Sequence, residues 1–109
     1  MESLKKNSDF RRVYNHRRSE ANRLLVLYIR ENDCGKSRLG ISVSRKVGKA
    51  VVRNRIKRVI KEQSRQLEAE IASGFDLVVV VRRQAVLPNG TAGIRQALTD
   101  LLGRQKVLK

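Results

Sequence analysis

The sequence predicts a single α/β sandwich domain, and three observations carry that prediction. Apolar, β-branched runs at Leu24-Leu25-Val26-Leu27-Tyr28-Ile29 and Asp76-Leu77-Val78-Val79-Val80-Val81-Arg82 have the length and composition of strands. Between them, Arg38-Leu39-Gly40-Ile41-Ser42-Val43-Ser44 alternates apolar with small or polar residues, as a strand with one covered face does. Helical spacing of apolar residues recurs around residue 10, from 49 to 67, and after residue 91. A chain of 109 residues has room for one domain and one modest core, and no repeat, low-complexity linker or boundary divides residues 1–109.

The elements follow in order. Residues 4–15 form a first helix, with Asn7 or Ser8 as its cap and Phe10, Val13 and Tyr14 on one side. The run at 24–29 is bounded by arginines and reads as a strand. Asn32-Asp33-Cys34-Gly35-Lys36 is turn chemistry, so a hairpin to residues 38–44 is expected. In that second strand Leu39, Ile41 and Val43 share one face. Gly40, Ser42 and Ser44 share the other, which is small enough to admit a ligand or a close neighbour. A long basic helix spans about 49–67 and ends near Ser73-Gly74, where glycine supplies a left-handed C-cap. The strand at 76–82 reads as central and covered on both faces. Pro88-Asn89-Gly90 makes a turn, and Thr91 caps a last helix with Ile94, Ala97, Leu98, Leu101 and Leu102 buried. The basic tail from Arg104 to Lys109 is expected to fray.

Charge narrows the partners. Lys and Arg total 25 against 10 Asp and Glu, a net charge of +15, which draws a chain to nucleic acid or to an anionic membrane. No apolar run approaches the roughly 18 to 20 residues of a membrane span, and no signal-peptide core follows Met1. A hydrophobic content of 40% sets the chain apart from a disordered basic tail. Cys34 is the only cysteine, so an internal disulfide is excluded and a reducing cytoplasm fits. Nucleic acid is the expected partner class.

The basic helix concentrates that charge. Successive helical residues turn by about 100°, so Val52, Ile56, Val59, Ile60 and Leu67 share one arc that can seat on a core. Lys49, Arg53, Lys57 and Lys61 follow at four-residue steps along an adjacent stripe. Arg58 and Arg65 extend the positive surface, Arg55 lies further round, and Glu62 alone interrupts it. Like charges at this spacing destabilise an isolated helix. A polyanion laid along the helix reverses that effect.

These residues carry a family resemblance. Arg38-Leu39-Gly40-Ile41-Ser42-Val43-Ser44-Arg45-Lys46-Val47-Gly48, running into Ala50-Val51-Val52-Arg53-Asn54-Arg55-Ile56-Lys57-Arg58, resembles the protein subunit of bacterial ribonuclease P. Arg53-Asn54-Arg55 matches the family's Arg-Asn-Arg motif, a weak signal alone but a specific one behind this strand and basic turn. Asp9-Phe10-Arg11-Arg12-Val13-Tyr14, Leu25-Val26-Leu27-Tyr28 and Asp76-Leu77-Val78-Val79-Val80 extend the similarity over about residues 4–83. The resemblance implies an α+β single domain, an αβββαβα two-layer sandwich with a left-handed βαβ crossover. That fold is similar to a domain of ribosomal protein S5 and to domain IV of elongation factor G, so fold alone does not decide function.

The resemblance also implies roles. The chain is expected to be the non-catalytic protein subunit of a ribonucleoprotein endoribonuclease that removes the 5′ leader of precursor tRNA. Chemistry then belongs to a catalytic RNA and its Mg2+, with no metal held tightly by the protein, and no protein or membrane partner is implied. Arg45, Lys46, Lys49, Arg53, Asn54, Arg55, Lys57, Arg58 and Lys61 are the candidates for docking that RNA. Arginine forks onto phosphate, lysine acts as a point charge, and the Asn54 amide can reach a base edge or a 2′-OH. Phe10, Tyr14 and Tyr28 match aromatic positions of the family's leader-binding cleft, where unpaired bases stack on rings. Where family members usually carry a glycine after the first helix, this chain has His16-Arg17-Arg18-Ser19, so Arg17 and Arg18 add charge at the cleft mouth. Phe10 equally suits a core position, and Arg55 equally suits solvation of the helix's outer side.

The residues read on their own agree with a non-catalytic role. His16 is the only histidine, and the ten carboxylates are scattered without the local clustering of a two-metal nuclease. A ribosomal or other structural RNA-binding protein is the alternative reading. A DNA-binding protein would call for a helix-turn-helix or a dimerising element, and neither is present. A membrane-surface helix would need bulky aromatics opposite its charge, where this one has Val, Ile and Leu.

Overall fold

The computed structural model describes residues 1–86 and 91–109. The expected turn at Pro88-Asn89-Gly90 and the capping side chain of Thr91 lie outside what is described. The elements are β1 (Glu2–Ser3), α1 (Asn7–Asn15), β2 (Ser19–Ala21), β3 (Leu25–Glu31), β4 (Arg38–Ser42), α2 (Ala50–Leu67), β5 (Phe75–Val81) and α3 (Ile94–Arg104). The αβββαβα order implied by the resemblance is present, preceded by the short strand β1. Neither β1 nor β2 has an apolar run to announce it.

One mixed sheet of five strands runs β1-β4-β5-β3-β2. β4 pairs in parallel with both β1 and β5, while β3 pairs antiparallel with β5 and β2. The expected hairpin between β3 and β4 is therefore corrected, because β5 lies between them. The turn at Asn32 to Lys36 does form, with Cys34 N–H donating to Asn32 Oδ1 at 3.0 Å and Gly35 at φ 70°. Its chemistry is the same whether the strands it joins are neighbours or separated by one strand, about 10 Å apart. Burial decides the matter. β5 is buried at Asp76, Leu77, Val78, Val79 and Val81, and a strand covered on both faces belongs in the middle of the sheet.

The two sheet faces carry different cores. Leu25, Leu27 and Ile29 of β3 pair with Val81, Val79 and Leu77 of β5. They pack with Leu39 and Ile41 against Ile56, Ile60 and Leu67 of α2 and Ile94, Leu98, Leu101 and Leu102 of α3. The opposite face holds a smaller cluster of Leu4, Val13 and Val78, with Phe10, Tyr14, Tyr28 and Val80 at its margin. That second face belongs to α1.

Four local expectations are corrected. In α2 the buried positions are Ile56, Ile60, Ser64 and Leu67, and Val52 is exposed. The helix overhangs the core by its first turn, so its N-terminal apolar residues meet solvent. α2 stops at Leu67, and Gly74, at φ 91°, precedes β5 instead of capping the helix. Asn7 and Ser8 lie inside α1, whose N-cap is Lys6 with no side-chain cap bond; Asp9 in the first turn complements the helix dipole. Finally, the tail does not fray. Lys106 takes φ 59°, its N–H donates to Gly103 O at 3.1 Å, and Val107 N–H donates to Leu102 O at 3.1 Å. This is a Schellman cap built without glycine. It buries Val107 completely and lets Ala72 N–H and Lys109 N–H donate to Val107 O and Glu70 O.

Candidate nucleic-acid interface

Strand register lines up three rows across β3, β5 and β4 on the face that α1 covers. Arg30, Asp76 and Arg38 form the first row, Tyr28, Val78 and Gly40 the second, and Val26, Val80 and Ser42 the third. Each row has a distinct character.

The first row is locked. Arg38 forks onto Asp76, its Nε 2.8 Å from Oδ1 and its Nη2 2.7 Å from Oδ2, and Asn32 Nδ2 adds a third bond at 2.7 Å. Burial of Asp76 works to raise its pKa. The hydrogen bonds from Arg38 and Asn32 outweigh that and hold the carboxyl below its usual range. The same bonds push Arg38 further up, so the pair stays ionised through the neutral range.

The second row seats α1. Val13 is fully buried with Val78 and Leu4. Tyr14 meets Tyr28 edge to face, with ring centroids 4.9 Å apart and planes at 89°. Phe10 lies over Gly40: a Cβ at that glycine would stand 2.6 Å from the ring's Cε1 and Cζ. The small face of β4 thus admits a close neighbour, and the neighbour is an aromatic ring. Phe10, Tyr14 and Tyr28 are all half-buried, packed against the cluster of Leu4, Val13 and Val78.

The third row is uncovered. Val26, Ser42 and Val80 are half-buried and extend the aromatic margin as an apolar floor with one hydroxyl. Sequence reasoning missed Val26 and Val80 as site residues. Alternation placed Ser42 beside Gly40, but which residues of β3 and β5 join them depends on strand order, and no local pattern encodes that.

The basic helix stands at the sheet's other face. Arg45, Lys46, Lys49, Asn54, Arg55, Arg58 and Lys61 are exposed, and Arg53 and Lys57 are partly covered. None of the eight cations in this group pairs with a carboxylate among the described residues. The carboxylates pair elsewhere: Asp9 with Arg12, Glu2 with Lys36, Asp76 with Arg38, Asp100 with Arg104, and Glu68 with the amino group of Met1. Glu62 pairs with Arg65 at 2.6 Å, and that bond, aided by Gln66, lowers the Glu62 pKa. Arg65, expected to extend the positive surface, is thereby neutralised. Arg53 Nε is buried with no acceptor among the described residues. At the sheet's edge, β1 covers β4 only at Arg38 and Leu39. Beyond them a groove of about 180 Å³, lined by Phe10, Gly40, Ile41, Lys57 and Lys61 among others, joins the aromatic face to the basic helix.

The two arginines of the cleft mouth differ. Arg17 is exposed and takes φ 59°, the left-handed conformation that a glycine favours, so the turn geometry is kept without the glycine. Arg18 turns inward, donating from Nη2 to Gln105 O at 2.6 Å and from Nε to Gln105 Oε1 at 3.2 Å. Gln105 in turn donates to Leu27 O at 3.1 Å. Arg18 ties the end of α3 to the sheet. No pattern in the sequence pairs residues 87 positions apart. Among the described residues, no cluster of three or more His, Cys, Asp or Glu is arranged to hold a metal ion, and no described helix is long and apolar enough to cross a membrane.

A half-open aromatic row, an uncompensated basic helix and the sheet that joins them are the features the resemblance called for. The family model described as Ribonuclease P matches residues 1–106. The chain belongs to the ribonuclease P protein family. It is 52% identical over 83 residues to the ribonuclease P protein component of Clostridium botulinum strain Langeland, covering 75% of each chain. It is 54% identical over 80 residues to that of Clostridioides difficile strain 630, covering 72% of this chain and 70% of the relative. Among solved structures, the RNase P protein of Staphylococcus aureus superposes with a TM-score of 0.90 at 39% identity, covering 100% of this chain and 99% of the other. The RNase P protein of Thermotoga maritima gives 0.85 at 36%, covering 95% and 97%. The ribonuclease P family fold therefore extends through α3, beyond the segment where sequence similarity was legible.

Proposed function

We propose that this chain is the protein cofactor of ribonuclease P, the ribonucleoprotein that removes the 5′ leader from precursor tRNA, and that it acts in the cytoplasm. One observation carries the reading: the cations from Arg45 to Lys61 have no carboxylate partner among the described residues, and a groove joins them to a sheet face with half-buried aromatics. Mutual repulsion along α2 is relieved when RNA phosphates replace solvent, and release of condensed counter-ions adds to the affinity. Arg53, Arg55, Lys57 and Arg58, with Arg45, Lys46, Lys49, Asn54 and Lys61, dock the catalytic RNA.

Phe10, Tyr14 and Tyr28 hold the single-stranded leader, with Val26, Ser42 and Val80 as its floor and Arg17 at the entrance. Stacking on rings tolerates varied leader sequences, as a processor of many tRNAs requires. The chain contributes position and neutralising charge. The catalytic RNA would hold the Mg2+ that supplies the hydrolytic chemistry, and the chain's own residues bind and neutralise phosphates. The structural-RNA-binder alternative accounts for the charge but not for the open aromatic row.

The test is multiple-turnover cleavage of a 5′-extended precursor tRNA at low magnesium, with a bacterial ribonuclease P RNA alone, the protein alone, and both. Accurate cleavage only with both supports the proposal. Cleavage by the protein alone, or no stimulation across several RNA classes, overturns it. Phe10→Ala with Tyr14→Ala is expected to weaken the affinity gained from the leader, and full retention of that gain removes the leader-stacking part.

A further inference from the structure

We infer that Gly40 is a positioning residue for the leader site: its missing side chain seats the Phe10 ring on β4 and so sets the shape of the aromatic row. The inference rests on the leader-binding role proposed for that row and assigns a residue that touches no leader itself.

Backbone conformation does not explain this glycine. Among the described residues, Gly35 and Gly74 are the glycines with positive φ, and Gly40 is not one of them. It lies in the middle of β4, paired with Val78, where a glycine weakens a strand and most other residues would strengthen it. Space is the remaining reason. An added Cβ would stand 2.6 Å from two atoms of the Phe10 ring and 3.2 Å from Leu4 Cδ1. The first of these separations is one that real Cβ atoms essentially never show.

The consequence of filling that space falls on Phe10 rather than on the core. α1 has independent anchors in Val13, fully buried on Val78, and in the Tyr14–Tyr28 contact. Phe10 is half-buried, so its ring can swing outward where Val13 cannot. A methyl group at position 40 therefore lifts one ring out of line with Tyr14 and Tyr28 and narrows the groove toward Lys57 and Lys61. A leader that contacts all three rings then loses the Phe10 contact, while the edge-to-face pair of Tyr14 and Tyr28 stays in place. A single-nucleotide leader cannot span three rings, so it should not depend on their alignment.

The experiment measures affinity for two precursor tRNAs, one with an extended leader and one with a single-nucleotide leader. The holoenzyme is reconstituted from a bacterial ribonuclease P RNA and wild-type protein, Gly40→Ala, Phe10→Ala, or the double variant. Gly40→Ala is expected to cut the advantage of the extended leader by about five- to tenfold, within what loss of one stacked base produces. Affinity for the single-nucleotide leader is expected to stay put. In the Phe10→Ala background, adding Gly40→Ala is expected to change nothing further, because the ring it would displace is gone. If Gly40→Ala proves unstable, the comparison of Phe10→Ala with the double variant still decides. Equal leader advantage in those two supports the inference. A further loss, or failure of the double variant to fold, shows that Gly40 acts by another route and overturns it. An unchanged leader advantage in a folded Gly40→Ala protein also overturns it and leaves the leader-binding reading intact. A wild-type holoenzyme indifferent to leader length overturns the leader-binding reading itself, and the inference falls with it.

Discussion

Arg38 is the charged side chain whose loss should most damage the free protein. Replacing it with alanine leaves Asp76, 1% exposed, as an unpaired buried carboxylate. Arg38→Ala is expected to cost about 3 kcal/mol in denaturant unfolding, toward the low end for broken buried pairs because Arg38 itself is partly exposed. The pH dependence has a definite sign. The folded-state pKa of Asp76 is lowered, so its contribution is fully present above the ordinary carboxylate value of about 3.9. It is lost as pH falls through the lower folded value. Wild-type stability should therefore drop steeply below about pH 4, and Asp76→Asn should flatten that slope while leaving a protein less stable at pH 7. Arg17 is expected to behave oppositely. At φ 59° a side chain strains the backbone, and Arg17→Gly relieves it, for a gain of about 1 kcal/mol in thermal unfolding once the greater freedom of glycine in the unfolded chain is subtracted. A lower melting temperature for Arg17→Gly would mean that the arginine makes contacts that outweigh its strain.

At the scale of elements, α2 should separate binding from stability. Arg53→Ala, Arg55→Ala and Lys57→Ala together are expected to abolish stimulation of a ribonuclease P RNA. They should raise, not lower, the stability of the free protein, because each like-charge i,i+4 contact removed returns about 0.2 to 0.5 kcal/mol. Stimulation that survives the triple substitution would exclude this stripe as the docking surface. The helix was also the most legible element: charge and 3.6-residue spacing gave its start and its exposed cations, although its end was sought at Gly74 and lies at Leu67. What spacing could not give was where the core begins beneath it. Val52 satisfies the pattern and still lies in the open, whereas Ser64 breaks it and is buried. The C-terminal cap of α3 was invisible for a related reason. A left-handed residue after a helix is sought as glycine, and here Lys106 fills the position because the burial of Val107 offsets the strain. Deleting residues 105–109 removes that burial, the Gln105–Leu27 bond and the anchor of Arg18. It should cost at least about 3 kcal/mol, combining one valine and one buried hydrogen bond, and it is read by the same unfolding titrations. A neutral deletion would mean that the docked tail is decorative.

For the whole molecule, strand types and the central place of β5 were readable, and which strands flank it was not. Leu24-Leu25-Val26-Leu27-Tyr28-Ile29 and the valines of β5 announce themselves by composition. The decision to place β5 between β3 and β4 depends on pairings between residues tens of positions apart, which no window of local sequence contains. The candidate site inherits that division. The cations and the three rings were found because they are chemically conspicuous; Val26 and Val80 join them only through register, and Gly40 matters only because Phe10 lies on it.

The central place of β5 also sets a schedule. A chain is made from its N-terminus, so β3, β4 and all of α2 leave the ribosome before the strand that unites them. Until about residue 81 has emerged, β3 and β4 have no common neighbour, and the groups they will present to β5 are unpaired. The sheet that mounts the cleft and the helix cannot be assembled piecemeal from the front. During that interval the nascent chain already displays the charge of α2 without the scaffold that orients it. It is a polycation before it is a fold.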